Sequence, residues 1–177
     1  MLSKCTLLCL LIGSPSIGAD GFTQHRDDAT RLLIRYPTNW FVEGGDDSFT
    51  ITSFNPHLRP AQVLVPINEA QIVVAAPPSG VTSVAEWLYS DRVEALGLQV
   101  STTRVFNKRL GELPATLVKG DLMAITQGRL TMYIFELNSH LVKVSLLYRG
   151  TTRAKEFQDI FETLIEALEP IAPTVPR

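Results

Sequence analysis

The chain predicts an α+β fold: a mostly antiparallel β-sheet flanked by helices on both faces. Three observations carry that reading. The stretch from Thr151 to Glu169 has helical periodicity with a long apolar stripe. The segment from Leu130 to Tyr148 reads as a hairpin with large apolar groups on both faces, so a layer is needed on each side. The order of predicted elements also lacks the strict strand–helix alternation of a parallel sheet.

In the C-terminal stretch Phe157, Ile160, Phe161, Leu164, Ile165 and Leu168 recur at helical spacing and share one face. Lys155, Glu156, Gln158, Asp159, Glu162 and Glu166 lie between them and face water. Thr152 is the expected N-cap, and Pro170 is expected to stop the helix after Glu169.

At 177 residues the chain suits one domain with one core. Its 45% hydrophobic and 19% charged content is that of a globular protein. A net charge of −2 supplies no global field to recruit nucleic acid or anionic lipid. The first residues differ in kind. Lys4 forms a positive start, Thr6 to Ile12 an apolar run, and Ser14 to Ala19 a small-residue segment broken by Pro15. This pattern predicts a bacterial-type secretory signal over residues 1–19, cut after Gly18 or Ala19. The run is far short of the ~20 apolar residues a membrane span needs. Cys5 and Cys9, the two cysteines of the chain, both fall in this segment, and neither follows the small-residue pattern of a lipid-anchor site. A chain cut there would hold no disulfide or thiolate metal site. Its net charge would be −3, which is −2 less the one charge of Lys4.

Residues 20–30 are polar and are expected to form a flexible lead-in, with a single domain over 31–170 and a tail over 171–177. From Arg31 the pattern alternates, with Leu32, Ile34 and Tyr36 on one side and Pro37 ending the strand. Trp40 and Phe41 precede the turn Gly44-Gly45-Asp46-Asp47, and Phe49 to Phe54 alternates again. Asn55 to Pro66 contains Pro56, Pro60 and Pro66 and reads as a surface loop. Ala70 to Ala76, with Ile72, Val73 and Val74, reads as a central strand covered on both faces. Ser83 and Glu86 have the spacing of a capping box, opening a helix through Trp87 and Leu88 to Leu96, with Gly97 beyond it. Strands are expected over Leu98–Phe106 and Pro114–Asp121, with a turn near Asn107–Gly111 between them. The hairpin Leu130–Phe135 and Val142–Tyr148 then reverses at Asn138-Ser139.

Tyr36-Pro37-Thr38-Asn39-Trp40 after a first strand resembles the Tyr-Pro-x-x-Trp opening of PsbP-like and DcrB-like proteins. So do the Gly111-x-x-Pro114-Ala115 turn into a strand and the Phe157-x-x-Ile160-Phe161 helix ending. The resemblance runs from Arg31 to Leu168. It implies an α/β/α sandwich, usually without enzymatic activity, and its bacterial envelope branch fits the secretory signal. It carries over no catalytic residue.

The residues themselves offer no reaction centre. His25, His57 and His140 have no ligand spacing, and neither a nucleophile elbow nor a phosphate loop is present. Gly44-Gly45-Asp46-Asp47 lacks the spaced acidic ligands of a calcium loop. Trp40 and Trp87 are expected in the core. No catalytic residue, cofactor or metal is therefore expected. The loop from Asn55 to Pro66 is longer and more apolar than a connection requires. Its His57, Leu58, Arg59, Val63, Leu64 and Val65 are candidates for partner contact. The leading expectation is an exported, periplasmic or secreted accessory protein that binds an envelope protein through a surface. A carrier or hydrolase with a pocket between sheet and capped helix is the first alternative. A photosystem II accessory factor is the second, should the source be photosynthetic.

Overall fold

The computed structural model describes residues 21–28, 30–58, 64–88, 104–110, 113–122, 127–137 and 139–171. Its centre is a seven-stranded sheet in the order β3-β4-β5-β9-β8-β7-β6. The strands are β3 (Phe41–Gly44), β4 (Ser48–Thr52), β5 (Ala70–Ala75), β6 (Arg104–Leu110), β7 (Leu113–Leu122), β8 (Gly128–Leu137) and β9 (His140–Arg149). Every neighbouring pair is antiparallel. A three-stranded sheet, β1-β2-β10, joins β1 (Phe22–Asp27), β2 (Leu32–Pro37) and β10 (Glu169–Pro170).

The long helix α2 (Ala154–Glu166) buries Phe157, Phe161, Leu164 and Ile165, with Ile160 and Leu168 half-buried at its margins. This is the stripe the periodicity predicts. The helix starts later than expected, however. Arg153 rather than Thr152 sits at the N-cap, and no side chain caps it. Arg153 forms a bidentate pair with Glu156, through Nε at 2.9 Å and Nη2 at 2.6 Å, so the first turn is held by charge. The helix ends three residues before the predicted stop, because Glu169 and Pro170 leave it to pair with Leu33 and Leu32 of β2.

One face of the large sheet meets α2 and the small sheet together. Leu32 and Ile34 of β2, Phe49 and Ile51 of β4, Ile72 and Val74 of β5, and Val144 and Leu146 of β9 share that core with the helix stripe. Aromatic rings knit it: Trp40 meets Phe157 edge-on at 6.1 Å, and Tyr133 lies 5.9 Å from Phe161. Trp40 is thus a core residue, as predicted.

The opposite face carries two smaller apolar clusters. Trp87 packs on Val118, Met132 and Ile134, with Val84 and Leu88 beside it. Phe54 and Val65 pack on Leu130 and Leu147. The hairpin β8–β9 is therefore apolar on both sides, as its sequence requires. Residues 84–88 are helical and begin a helix α1 at the predicted capping box. Glu86 N–H donates to Ser83 Oγ at 3.2 Å, and Ser83 N–H donates to Glu86 Oε2 at 3.1 Å. Thr82 adds its own N–H to the same carboxylate at 2.8 Å. The predicted end of that helix at Leu96 and Gly97 lies outside the described residues.

Three expectations are corrected. Residues 22–27 are not a loose lead-in but strand β1, paired along its whole length with β2. Phe41 to Gly44 is a strand rather than an approach to a turn. The turn expected near Asn107–Gly111 does not begin at Asn107, and Gly111 lies outside the described residues. Asn107 to Leu110 continue β6 opposite Thr116 to Leu113, because Pro114 faces Arg109 without breaking the ladder at this outermost pair.

Candidate functional site

The loop between β4 and β5 is closed at its base before it reaches outward. Ser53 N–H donates to Ala70 O at 3.0 Å, and Ala70 N–H donates back to Ser53 Oγ at 2.8 Å. The Ser53 hydroxyl also donates to the Glu69 carboxylate. Asn68 adopts a left-handed φ of 60°, which brings its N–H to Arg149 O at 2.8 Å. Arg149 N–H returns to Glu69 O at 3.1 Å. Arg153 of the helix start reaches the same corner, 3.6 Å from Glu69 and 3.4 Å from Asn68 O. The loop is thereby tied to both the sheet and α2.

Electrostatics reinforce that corner. Hydrogen bonding to Glu156 raises the Arg153 guanidinium further above its usual range, and the charges of Glu156 and Glu69 add to this. Arg153 in turn holds the Glu156 carboxyl below the usual carboxylate range. The guanidinium also stands over the Phe157 ring at 4.7 Å.

Beyond its base the loop divides into anchors and exposed groups. Phe54 and Val65 are the anchors; Val65 is 1% exposed. Asn55 shapes the first turn, its Oδ1 accepting from His57 N–H at 3.0 Å and its carbonyl from Leu58 N–H at 3.2 Å. That single 3₁₀ turn, Pro56–Leu58, projects Leu58 outward at 81% exposure. Leu64 and Ile67 are exposed at 37% and 61%. Among the described residues the other large apolar group this exposed is Phe41 of β3, at 41%. His57 lies 3.8 Å from Glu43 of the same strand, so the loop and the β3 edge are neighbours. Among the described residues, three of the four exposed bulky apolar groups thus lie on this loop, and the fourth lies on the neighbouring edge strand.

Of the six predicted contact residues, His57, Leu58 and Leu64 stand at this surface. Val65 does not: it is buried in a cluster with Phe54, Leu130 and Leu147, which removes it from any outward contact. Arg59 and Val63 lie outside the described residues. Sequence reading missed Phe41 and Ile67. Ile67 follows the proline that ends the predicted loop, and Phe41 reads as a connection until β3 is recognised.

Other candidate groups do not converge. The His25 ring is 5.0 Å from Phe49, His57 pairs with Glu43, and His140 meets Arg31. Among the described residues no cluster of three histidine, cysteine or carboxylate groups could hold a metal. No helix among them is long and apolar enough to cross a membrane. Trp87 is fully buried against Val118, Met132 and Ile134 of the sheet.

No protein-family sequence model matches the chain, and no curated protein matches it in sequence. Solved structures do. Cyanobacterial PsbP (CyanoP) from Synechocystis sp. PCC 6803 superposes with a TM-score of 0.52 at 9% identity, over 90% of this chain and 98% of that one. PA94 from Pseudomonas aeruginosa, a protein of unknown function described as a candidate regulator, gives a TM-score of 0.49 at 14% identity. That match covers 86% of this chain and 99% of the other. At 9% identity the likeness to cyanobacterial PsbP speaks of architecture alone. The mostly antiparallel sheets and the closing helix of this chain make up the PsbP-like α+β fold.

Proposed function

We propose that this protein is an exported accessory protein that works by holding a partner protein, not by catalysing a reaction. The observation that carries the reading is the concentration of exposed bulky apolar groups, Leu58, Leu64, Ile67 and Phe41, on one rigidly based loop and the adjoining edge strand. Water penalises such a surface, and a partner that covers it relieves the penalty. The anchored base at Ser53, Asn68 and Arg153 lowers the ordering cost of binding. In this reading residues 1–19 are removed on export, the partner resides in the bacterial envelope, and the helix opened at Ser83 completes a second helical layer over the Trp87 face.

Crosslinking in the native envelope, followed by mass spectrometry, tests it. The wild-type chain should capture a defined partner, and the L58S/I67S double variant should lose that partner while keeping its thermal stability. Equal capture by both chains, or capture by neither, sinks the reading. A photosystem accessory role is the second reading. The superposition on cyanobacterial PsbP favours it, and copurification with photosystem II from a photosynthetic source would decide for it.

A further inference from the structure

The large sheet ends, among the described residues, in two edge strands of opposite charge. Among the described residues β3 pairs only with β4, and β6 pairs only with β7. From Phe41 to Pro56 the chain carries Glu43, Asp46 and Asp47 and no Lys or Arg. Glu43, Asp46 and Asp47 are all exposed. Strand β6 is the reverse: Arg104, Lys108 and Arg109 with no acid. Lys119, exposed on β7, faces Arg104 in register and extends the basic margin.

Open edges present unpaired backbone groups, and charge is one of the devices that keeps them from pairing. Here the device is selective. Setting β3 against β3 of a second copy brings acid to acid, and β6 against β6 brings base to base; like charges across a ladder destabilise it. Only β3 against β6 brings opposite charges together. The direction of the strands agrees. Seven strands, each antiparallel to the next, leave the first and last pointing the same way. A second copy that keeps α2 on the same side therefore meets β3 with its β6 running parallel. The contact is short, because β3 has four residues. It is also heterologous, so each copy retains one edge for the next.

We infer that the chain associates with itself head to tail, the basic β6 edge of one copy joining the acidic β3 edge of another. The inference rests on the two sheet edges. It shares strand β3, which carries Phe41, with the partner surface above but uses neither Leu58 nor Ile67, so L58S/I67S should leave it unchanged. Sedimentation of the full chain over a range of concentrations tests it. In 0.1 M salt the average mass should rise with concentration. In 1 M salt, where the screening length falls from about 10 Å to about 3 Å, that rise should disappear. D46K/D47K and K108E/R109E should each remain monomeric alone. Mixed in equal amounts they should associate again, because the swapped edges are complementary only between the two variants. Should a charge reversal impair folding, the neutral changes D46N/D47N and K108Q/R109Q should still weaken association at least about fivefold, short of the full screening effect. A chain that is monomeric at every concentration in low salt overturns the inference. So does association that salt and these substitutions leave untouched, or a mixture that does not recover it.

Discussion

Arg31 Nη1 stands 3.0 Å from Nε2 of His140, joining the β1–β2 turn to the start of β9 across 109 residues of sequence. A guanidinium can only donate, so in this contact the imidazole accepts at Nε2. Arg31 also holds a left-handed φ of 56° and accepts from Ile171 N–H at 2.9 Å, so one residue ties three places together. The pair is exposed, which limits its worth. His140→Phe should cost less than about 1 kcal/mol in urea unfolding. It should nonetheless speed amide exchange in β10 and the β1–β2 turn more than in β8. Uniform exchange rates would mean that this contact does not restrain the small sheet.

Phe161 is fully buried between α2 and the large sheet, with Tyr133 5.9 Å away. Phe161→Ala should destabilise the fold by about 3–5 kcal/mol, the usual loss for a buried aromatic whose cavity cannot collapse. Chemical denaturation measures it directly. A loss under ~1 kcal/mol would show that the helix stripe is not the centre of the core.

Gly150 occupies φ 88°, and an added Cβ would lie 2.6 Å from Asn68 Oδ1 and 3.3 Å from Asn68 N. Gly150→Ala should therefore cost on the order of 1–3 kcal/mol from backbone strain and crowding. Removing the Asn68 side chain with Asn68→Gly should return part of that loss in the double variant, an interaction that a double-mutant cycle reads as non-additive. Strict additivity would refute the close approach.

Acid should weaken the fold through two carboxylates. Hydrogen bonds from the Thr82 backbone and hydroxyl, and then from Ser83, hold Glu86 below the usual range; Arg153 does the same for Glu156. A carboxyl depressed by folding contributes stability above its unfolded value, and that contribution is lost as pH falls through the folded value. Melting temperature should thus decline below the ordinary carboxylate range, and E86Q and E156Q should each flatten the decline. An unchanged slope in both variants would count against these contacts in solution.

What the sequence discloses and what it hides follow from the same forces. The α2 stripe is legible because four core side chains must repeat at helical spacing. Strand β8 is legible because residues 130–135 are buried on both faces and apolar throughout save Thr131, which Gln158 satisfies at 3.0 Å. Strand β1 is hidden because its inward positions are Thr23 and His25, so no apolar alternation announces it. Its pairing with β2 supplies what its side chains lack. Strand β3 is hidden by its four-residue length and its closing glycines. Within the loop, Leu58 and Val65 look alike as residue types. Only the position of Phe54, Leu130 and Leu147 makes one an anchor and leaves the other outside.

The pairing of β10 with β2 sets a condition on biogenesis. Leu32 and Leu33 finish their ladder with Pro170 and Glu169, which leave the ribosome more than a hundred residues later. Until then β2 has only β1 beside it, and a lone hairpin is barely stable in water. The small sheet therefore stays incomplete for nearly the whole of synthesis. Premature termination before Glu169 would leave an early hairpin with one neighbour missing, open to proteolysis.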